Sequence, residues 1–160
     1  MRITDAIRGE HASMRPLLRQ FREETDASVK ANPVLVKAAA SALRTIIRAH
    51  ATIEESFIFE PMLAHPGVKQ ALKDGVGDGH LKVAKVVKHA LKEHKELDAL
   101  LDKAVETGDQ RALNKATRLA LGHFAEEERD VFPMAEKLLG PNRLSDLGAE
   151  WATARGIRLA

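Results

Sequence analysis

The sequence predicts an all-α protein: an antiparallel, up-down four-helix bundle followed by a short C-terminal helix. Three observations carry that prediction. Four stretches of roughly 25 residues each repeat apolar side chains at spacings of three and four, the period of one helix face. The breaks after the first and third stretches are short, which sets consecutive helices side by side and antiparallel. The second pair of stretches also repeats the first pair around two histidine–glutamate motifs. With 160 residues, 44% of them hydrophobic and 30% charged, the chain suits one domain that can bury a core and stay soluble.

The first helix is expected from Thr4 or Asp5, either a good N-cap, to about residue 29. Its stripe is Ile7, His11, Met14, Leu18 and Phe21. Pro16 removes the bond to the Ala12 carbonyl, so a kink is expected there. Asn32-Pro33 reads as N-cap and first residue of a second helix that runs to about residue 64. Val36, Leu43, Ile46, Ile47, His50, Glu54, Phe57 and Ile58 form its buried stripe, and Pro61 should distort or end its last turns.

His65-Pro66-Gly67 is a break, and glycines recur at 67, 75, 77 and 79. Residues 65–79 read as a linker with one helical turn at about 68–72. The third helix is expected over about 80–107, with Val83, Val87, Ala90, His94, Leu97, Leu101 and Val105 on one face. Gly108-Asp109 is a stop and a new N-cap. The fourth helix, about 110–139, turns Ala116, Leu119, Ala120, His123, Glu127, Val131 and Met134 inward. Gly140-Pro141 ends it, and Leu144, Leu147 and Trp151 mark one face of a short amphipathic helix. The bundle is thus expected over residues 1–140, with 141–160 a helical extension.

The polar residues inside these stripes point to the chemistry. His50–Glu54 and His123–Glu127 are each four residues apart, so imidazole and carboxylate point at one spot. Laying His50 on His123 aligns Glu54 with Glu127, Glu55 with Glu128, Ile58 with Val131 and Phe59 with Phe132. Upstream, Glu10-His11 precedes the first motif and Glu93-His94 the second. An unpaired glutamate in a bundle core costs several kcal/mol or is forced neutral. Two glutamates beside His11, His50, His94 and His123 remove that problem if cations bind. Neutral imidazole with carboxylate suits iron, manganese or zinc. The repeat implies two ions, each with two histidines, and both glutamates able to bridge.

Other readings fail on the residues. No glutamate stands three residues before a histidine, which ferritin-like di-iron bundles use, and no HExxH is present. Without cysteine there are no disulfides, thiolate metal sites or cysteine nucleophiles. The net charge of +2 and pI near 9.0 are mild, and no basic face argues for nucleic acid. The N-terminus lacks the apolar run of a signal peptide, and no stretch approaches the roughly 18 apolar residues of a membrane span. A cytoplasmic protein with neither nucleic-acid nor membrane partners is expected; the oligomeric state is not legible.

The order histidine, HxxxE, histidine, HxxxE, one element per helix, resembles the hemerythrin-like HHE cation-binding family over roughly residues 4–139. The resemblance implies a non-haem di-iron protein with an oxo- or hydroxo-bridged pair, manganese or zinc being alternatives. His11, His50, Glu54, His94, His123 and Glu127 would be its metal ligands. The family embraces oxygen carriers and sensors, peroxide-handling proteins and proteins that repair nitrosatively damaged iron centres. The expected function is binding or reducing a small ligand (peroxide, O2 or NO) in stress response. The alternative is a metal- or oxygen-binding sensor or carrier without turnover; a third class is a structural bundle without metal.

Two departures bear on that choice. The oxygen carriers place a second histidine four residues before the third-helix ligand, where this chain has Ala90. A five-histidine site is therefore not available. The carriers also set the fourth-helix carboxylate five residues after its histidine, which would select Glu128; the HHE pattern and the repeat select Glu127. Glu55 and Glu128 are then expected to be solvated or to hold a histidine or a neighbouring helix. Asp130 lies on the ligand face as a surface charge or an outer partner. His65 and His80 flank the linker, and His89 is about 140° round the helix from His94.

Overall fold

A computed structural model describes residues 1–26 and 32–158. It is helical throughout its core: α1 (Ile3–Asp26), α2 (Pro33–Glu54), α3 (Glu60–Ala64), α4 (Pro66–Asp74), α5 (Asp78–Thr107), α6 (Gln110–Glu126) and α7 (Phe132–Ala154). Glu55–Phe59 and Glu127–Val131 are single wide turns that join α2 to α3 and α6 to α7. In each, a backbone N–H reaches back five residues, from Glu60 to Glu55 and from Phe132 to Glu127, the hydrogen bond of a π turn. The expected four long rods are thus α1, α2 with α3, α5, and α6 with the first part of α7. Among the described residues no helix is long and apolar enough to cross a membrane.

Two apolar clusters show how the rods run. One holds Ile7, Ile58, Ala90 and Val131; the other holds Met14, Ile47, Leu97 and Ala120. Along α1 and α5 the chain passes from the first cluster to the second, and along α2 and α6 it passes back. Successive rods therefore alternate in direction, as the short breaks predict. Between the clusters lies one polar layer, where the histidine–glutamate motifs fall.

The caps explain most boundaries. Asn32 accepts from the Val34 N–H at 2.9 Å, with Pro33 following. Asp109 accepts from the N–H groups of Arg111 and Ala112, directly after Gly108 at φ 71. The first helix differs from expectation. It begins at Ile3, the Arg2 carbonyl takes the first bonds, and Thr4 is no cap but a buried residue whose hydroxyl donates to Glu136 at 2.9 Å. Its expected end near residue 29 lies outside the described residues. Helix α1 continues through Pro16.

The linker is also more ordered than expected. In place of one turn at 68–72, α4 spans Pro66–Asp74, because His65 Nδ1 caps it by accepting from the Gly67 N–H and Gly75 closes it at φ 69. Ile46, expected on the buried stripe of α2, is 39% exposed. The last helix breaks at Gly140 (φ 74, ψ 166). Beyond it Leu144, Leu147 and Trp151 are buried in the first cluster, against Ile3 and Ile7.

Gly148 marks the closest approach of that last segment to the rest of the chain. A methyl group there would meet the Met1 carbonyl oxygen and the Ile3 nitrogen. Alanine gains up to about 1 kcal/mol in helix propensity, but overpacking against backbone costs about 1–3 kcal/mol. Gly148→Ala is expected to lower the melting temperature by a few degrees, at roughly 2–4 °C per kcal/mol. A calorimetric scan showing an unchanged or raised midpoint would mean that this contact does not hold the N-terminus.

Candidate metal centre

The polar layer draws one or two side chains from each rod. His11 comes from α1, His50 and Glu54 from α2, His94 from α5, His123 from α6 and Glu127 from the wide turn after it. All six are buried, His94 most exposed at 7%. Their donor atoms form two groups that share both glutamates: His11, His50, Glu54 and Glu127, and Glu54, His94, His123 and Glu127. Within each group the donor atoms lie within 4.8 Å of one another. The histidines pair by sequence half, first with second and third with fourth. Glu127 stands between His11 and His123 at 3.4 and 3.3 Å. Glu128 points away from this space.

Four outer carboxylates fix the rings. Glu10 Oε2 meets His50 Nδ1 at 2.7 Å, and Glu128 Oε1 meets His11 Nδ1 at 3.0 Å. Glu93 Oε2 meets His123 Nδ1 at 2.8 Å, and Glu55 Oε1 meets His94 Nδ1 at 2.8 Å. A carboxylate only accepts, so each Nδ1 carries the proton and each Nε2 of a neutral ring presents a lone pair inward. Aromatic rings brace the same imidazoles: Phe132 stacks on His11 and Phe59 on His94, each at 5.6 Å between centroids. Phe124 stacks on His11 more closely, at 4.0 Å.

This inward arrangement lacks donors. His11 and His50 face each other Nε2 to Nε2 at 3.0 Å, and His94 and His123 at 2.9 Å. One Glu54 oxygen and both Glu127 oxygens are buried without a hydrogen-bond partner. Two neutral Nε2 lone pairs at that distance repel, and a buried orphan carboxylate is costly. Either protons or cations must enter. Four imidazole nitrogens and two shared carboxylates are a donor set that fits transition-metal cations. The residues present therefore fit a metal pair.

In the metal-free chain, protons take that place. Burial works against the His50 imidazolium, but the Glu54 charge and the hydrogen bonds to Glu10 and Glu54 outweigh it and push His50 up to about 10. Burial opposes His123 likewise, yet Glu127, Glu54 and Glu93 raise it to about 9. Glu54, against its burial, is held well below the ordinary range by His50, His11 and His94.

Other residues of the sequence reading fall elsewhere. His65 caps α4 and stacks on His80, away from the layer. Asp130 pairs with Arg129 at 2.7 Å on the surface. His89 is 60% exposed on its side chain. Glu10 and Glu93 were not singled out as ring-holders, although the repeated Glu-His dipeptide was the signal for both. Trp151 Nε1 and Arg155 donate to Glu10 Oε1 at 3.2 and 2.9 Å, so the last helix also reaches the His50 carboxylate. A cavity of ≈ 210 Å³ runs beside Ala90 to His123 and Glu127.

Comparison with known proteins gives one match. The family model for the hemerythrin HHE cation-binding domain matches residues 2–135. No curated protein and no solved structure matches the chain.

The raised histidines predict a pH signature for metal-free protein. A group raised in the folded state contributes stability fully below its ordinary value, 6.5, and loses it as pH climbs through about 9 for His123 and about 10 for His50. At about 1.4 kcal/mol per pKa unit, chelator-treated protein should lose on the order of a few kcal/mol across that range. Metal-loaded protein, its rings neutral and ligated, should not. Denaturant melts of both forms at alkaline pH check this; parallel curves would contradict it.

Proposed function

The chain belongs to the hemerythrin HHE cation-binding domain family, and from that premise we propose that it binds two metal ions, preferentially iron. His11 and His50 serve one ion, His94 and His123 the other, and Glu54 and Glu127 are shared. The observation that carries this reading is the pair of overlapping four-donor groups with three buried carboxylate oxygens lacking any hydrogen-bond partner. The centre lies wholly within residues 1–140, taken as the bundle proper, with 141–160 as its extension.

We place its chemistry in small oxygen and nitrogen species: peroxide, O2 or NO. An iron pair held there supplies redox equivalents to such a ligand. The protein's own part is to hold, orient and exclude. Glu10, Glu55, Glu93 and Glu128 hold the four rings and make them better donors. Their charge, with that of Glu54 and Glu127, favours the higher oxidation state. Phe59, Phe124 and Phe132 shut out water on the ring faces. The ≈ 210 Å³ cavity leads in past Ala90, Val86 and Val131, with Glu93 and Glu126 also on its wall, to His123 and Glu127. A ligand of two or three heavy atoms fits this route.

A second reading, a sensor or carrier without turnover, is favoured by the complete burial of Glu54 and Glu127. Ala90 weighs against it, because the carriers' extra histidine would fill that wall.

Two outcomes follow. Protein produced with ample iron should carry close to two ions per chain by elemental analysis. His50→Ala or Glu54→Ala should cost well over the roughly 10–100-fold in affinity that loss of an outer partner costs, while His65→Ala leaves binding intact. A folded helical chain that reproducibly carries no metal refutes the centre. The iron form is also expected to consume peroxide, or to react irreversibly with NO, more readily than it cycles oxygen. Full reversal of the oxygenated spectrum under argon over repeated cycles, without peroxide-dependent oxygen evolution, would move the protein to the carrier or sensor class.

A further inference from the structure

We propose that His89, Glu93 and Glu126 form a third, exposed divalent-cation site at the mouth of the cavity ending on Glu127, where an incoming ion is held before it enters the buried centre. The proposal rests on the reading of that centre as a metal pair. His89 and Glu93 lie one turn apart on α5, and Glu126 closes from the end of α6. Their ligand atoms fall within 4.8 Å of one another. His89 Nε2 stands 3.6 Å from Glu93 Oε1 and 3.5 Å from Glu126 Oε2. Two donors bound at about 2.1 Å and tetrahedrally disposed sit roughly 3.4 Å apart. Both separations from His89 are therefore already close to those around one cation.

The independent observation is what lies behind it. The same cavity, ≈ 210 Å³, is lined by His89, Glu93 and Glu126 at its outer part and by His123 and Glu127 within. Both Glu127 oxygens are buried and unpartnered. Glu93 belongs to both places: Oε1 faces His89, and Oε2 holds His123 Nδ1 at 2.8 Å. A cation at the mouth thus has carboxylates at each stage of an inward path. Asp130, paired with Arg129, and Lys85 complete the charged part of the wall. A second pocket, ≈ 300 Å³, reaches His50 beside Glu10 in the other half, but Arg155 lines it and donates to Glu10, setting a positive charge in the way of a cation.

Two measurements test the port without touching the buried ligands, because His89 and Glu126 are 60% and 44% exposed on their side chains. In protein whose centre is filled with zinc, manganese(II) binds too weakly to displace it. It should broaden amide resonances around His89 and Glu126, and the His89→Ala/Glu126→Gln variant should lose that effect. When metal-free protein takes zinc from a chromophoric indicator, the double variant should still fill the two places of the buried centre. It should do so about tenfold or more slowly, the scale of electrostatic capture. Wild-type loading rates in the variant, or broadening nowhere near His89, would overturn the port and leave the centre standing. Wild-type protein that takes no zinc would overturn the centre and the port with it.

Discussion

Glu54 and Glu127 are carboxylates with no solvent and too few donors, and the rest of the fold answers to them. Leaving one such charge unpaired costs several kcal/mol. Each of the four rods therefore delivers one histidine to the layer that contains them. Sliding any rod by a turn would take its histidine out of this layer and away from the carboxylates. The two hydrophobic clusters make the bundle stable; the polar layer between them sets its register. This is the role in which buried polar groups are best attested.

The inner donors obey a pseudo-twofold relation, and their surroundings do not. Glu10 is held by Trp151 and Arg155, and it stays below the ordinary carboxylate range, although burial opposes it, because His50, Arg155 and Trp151 stabilise its charge. Glu128 is kept low in the same sense, against its burial, by Arg15 and His11. On the other side, Glu55 is 42% exposed on its side chain, and Glu93 shares its second oxygen with His89. In one half of the centre arginines hold the outer carboxylates; in the other Glu55 is exposed and Glu93 turns to a histidine. Two ions in equal ligand sets would still sit in unequal surroundings.

Much of this was legible in the residues because it depends on period. The stripes placed the rods, and the in-register histidines placed the layer. The outer ring was less legible. Glu10 and Glu93 neighbour ligands in sequence, and only the folded helices show that each reaches the histidine of an adjacent rod. The capped helix α4 hid in a glycine-rich stretch because its N-cap is a histidine. The wide turns were missed too, though they left a trace. His50, Glu54, Ile58 and Met62 are all buried, as are His123, Glu127, Val131 and Ala135. Three steps of four overshoot one helix face by about 120° at roughly 100° per residue. A five-residue hydrogen bond in the middle cancels most of that drift.

The same turns solve the proline problem. Pro61 and Pro133 lie just after them, and a proline ring clashes with the carbonyl four residues earlier in a regular helix. Here that carbonyl belongs to the wide turn, at Phe57 and Arg129. A π turn amounts to one residue inserted into an α-helix. Deleting one residue from either turn would restore a regular helix with both flanking stripes in phase. Apart from easing the proline, the bundle has little use for the extra residue. Its benefit falls on the adjacent pairs Glu54-Glu55 and Glu127-Glu128, whose first members point inward while the second reach the histidine of another rod. In the arithmetic of insertions and deletions, each half of the chain carries one residue that the stripes could lose and the centre could not.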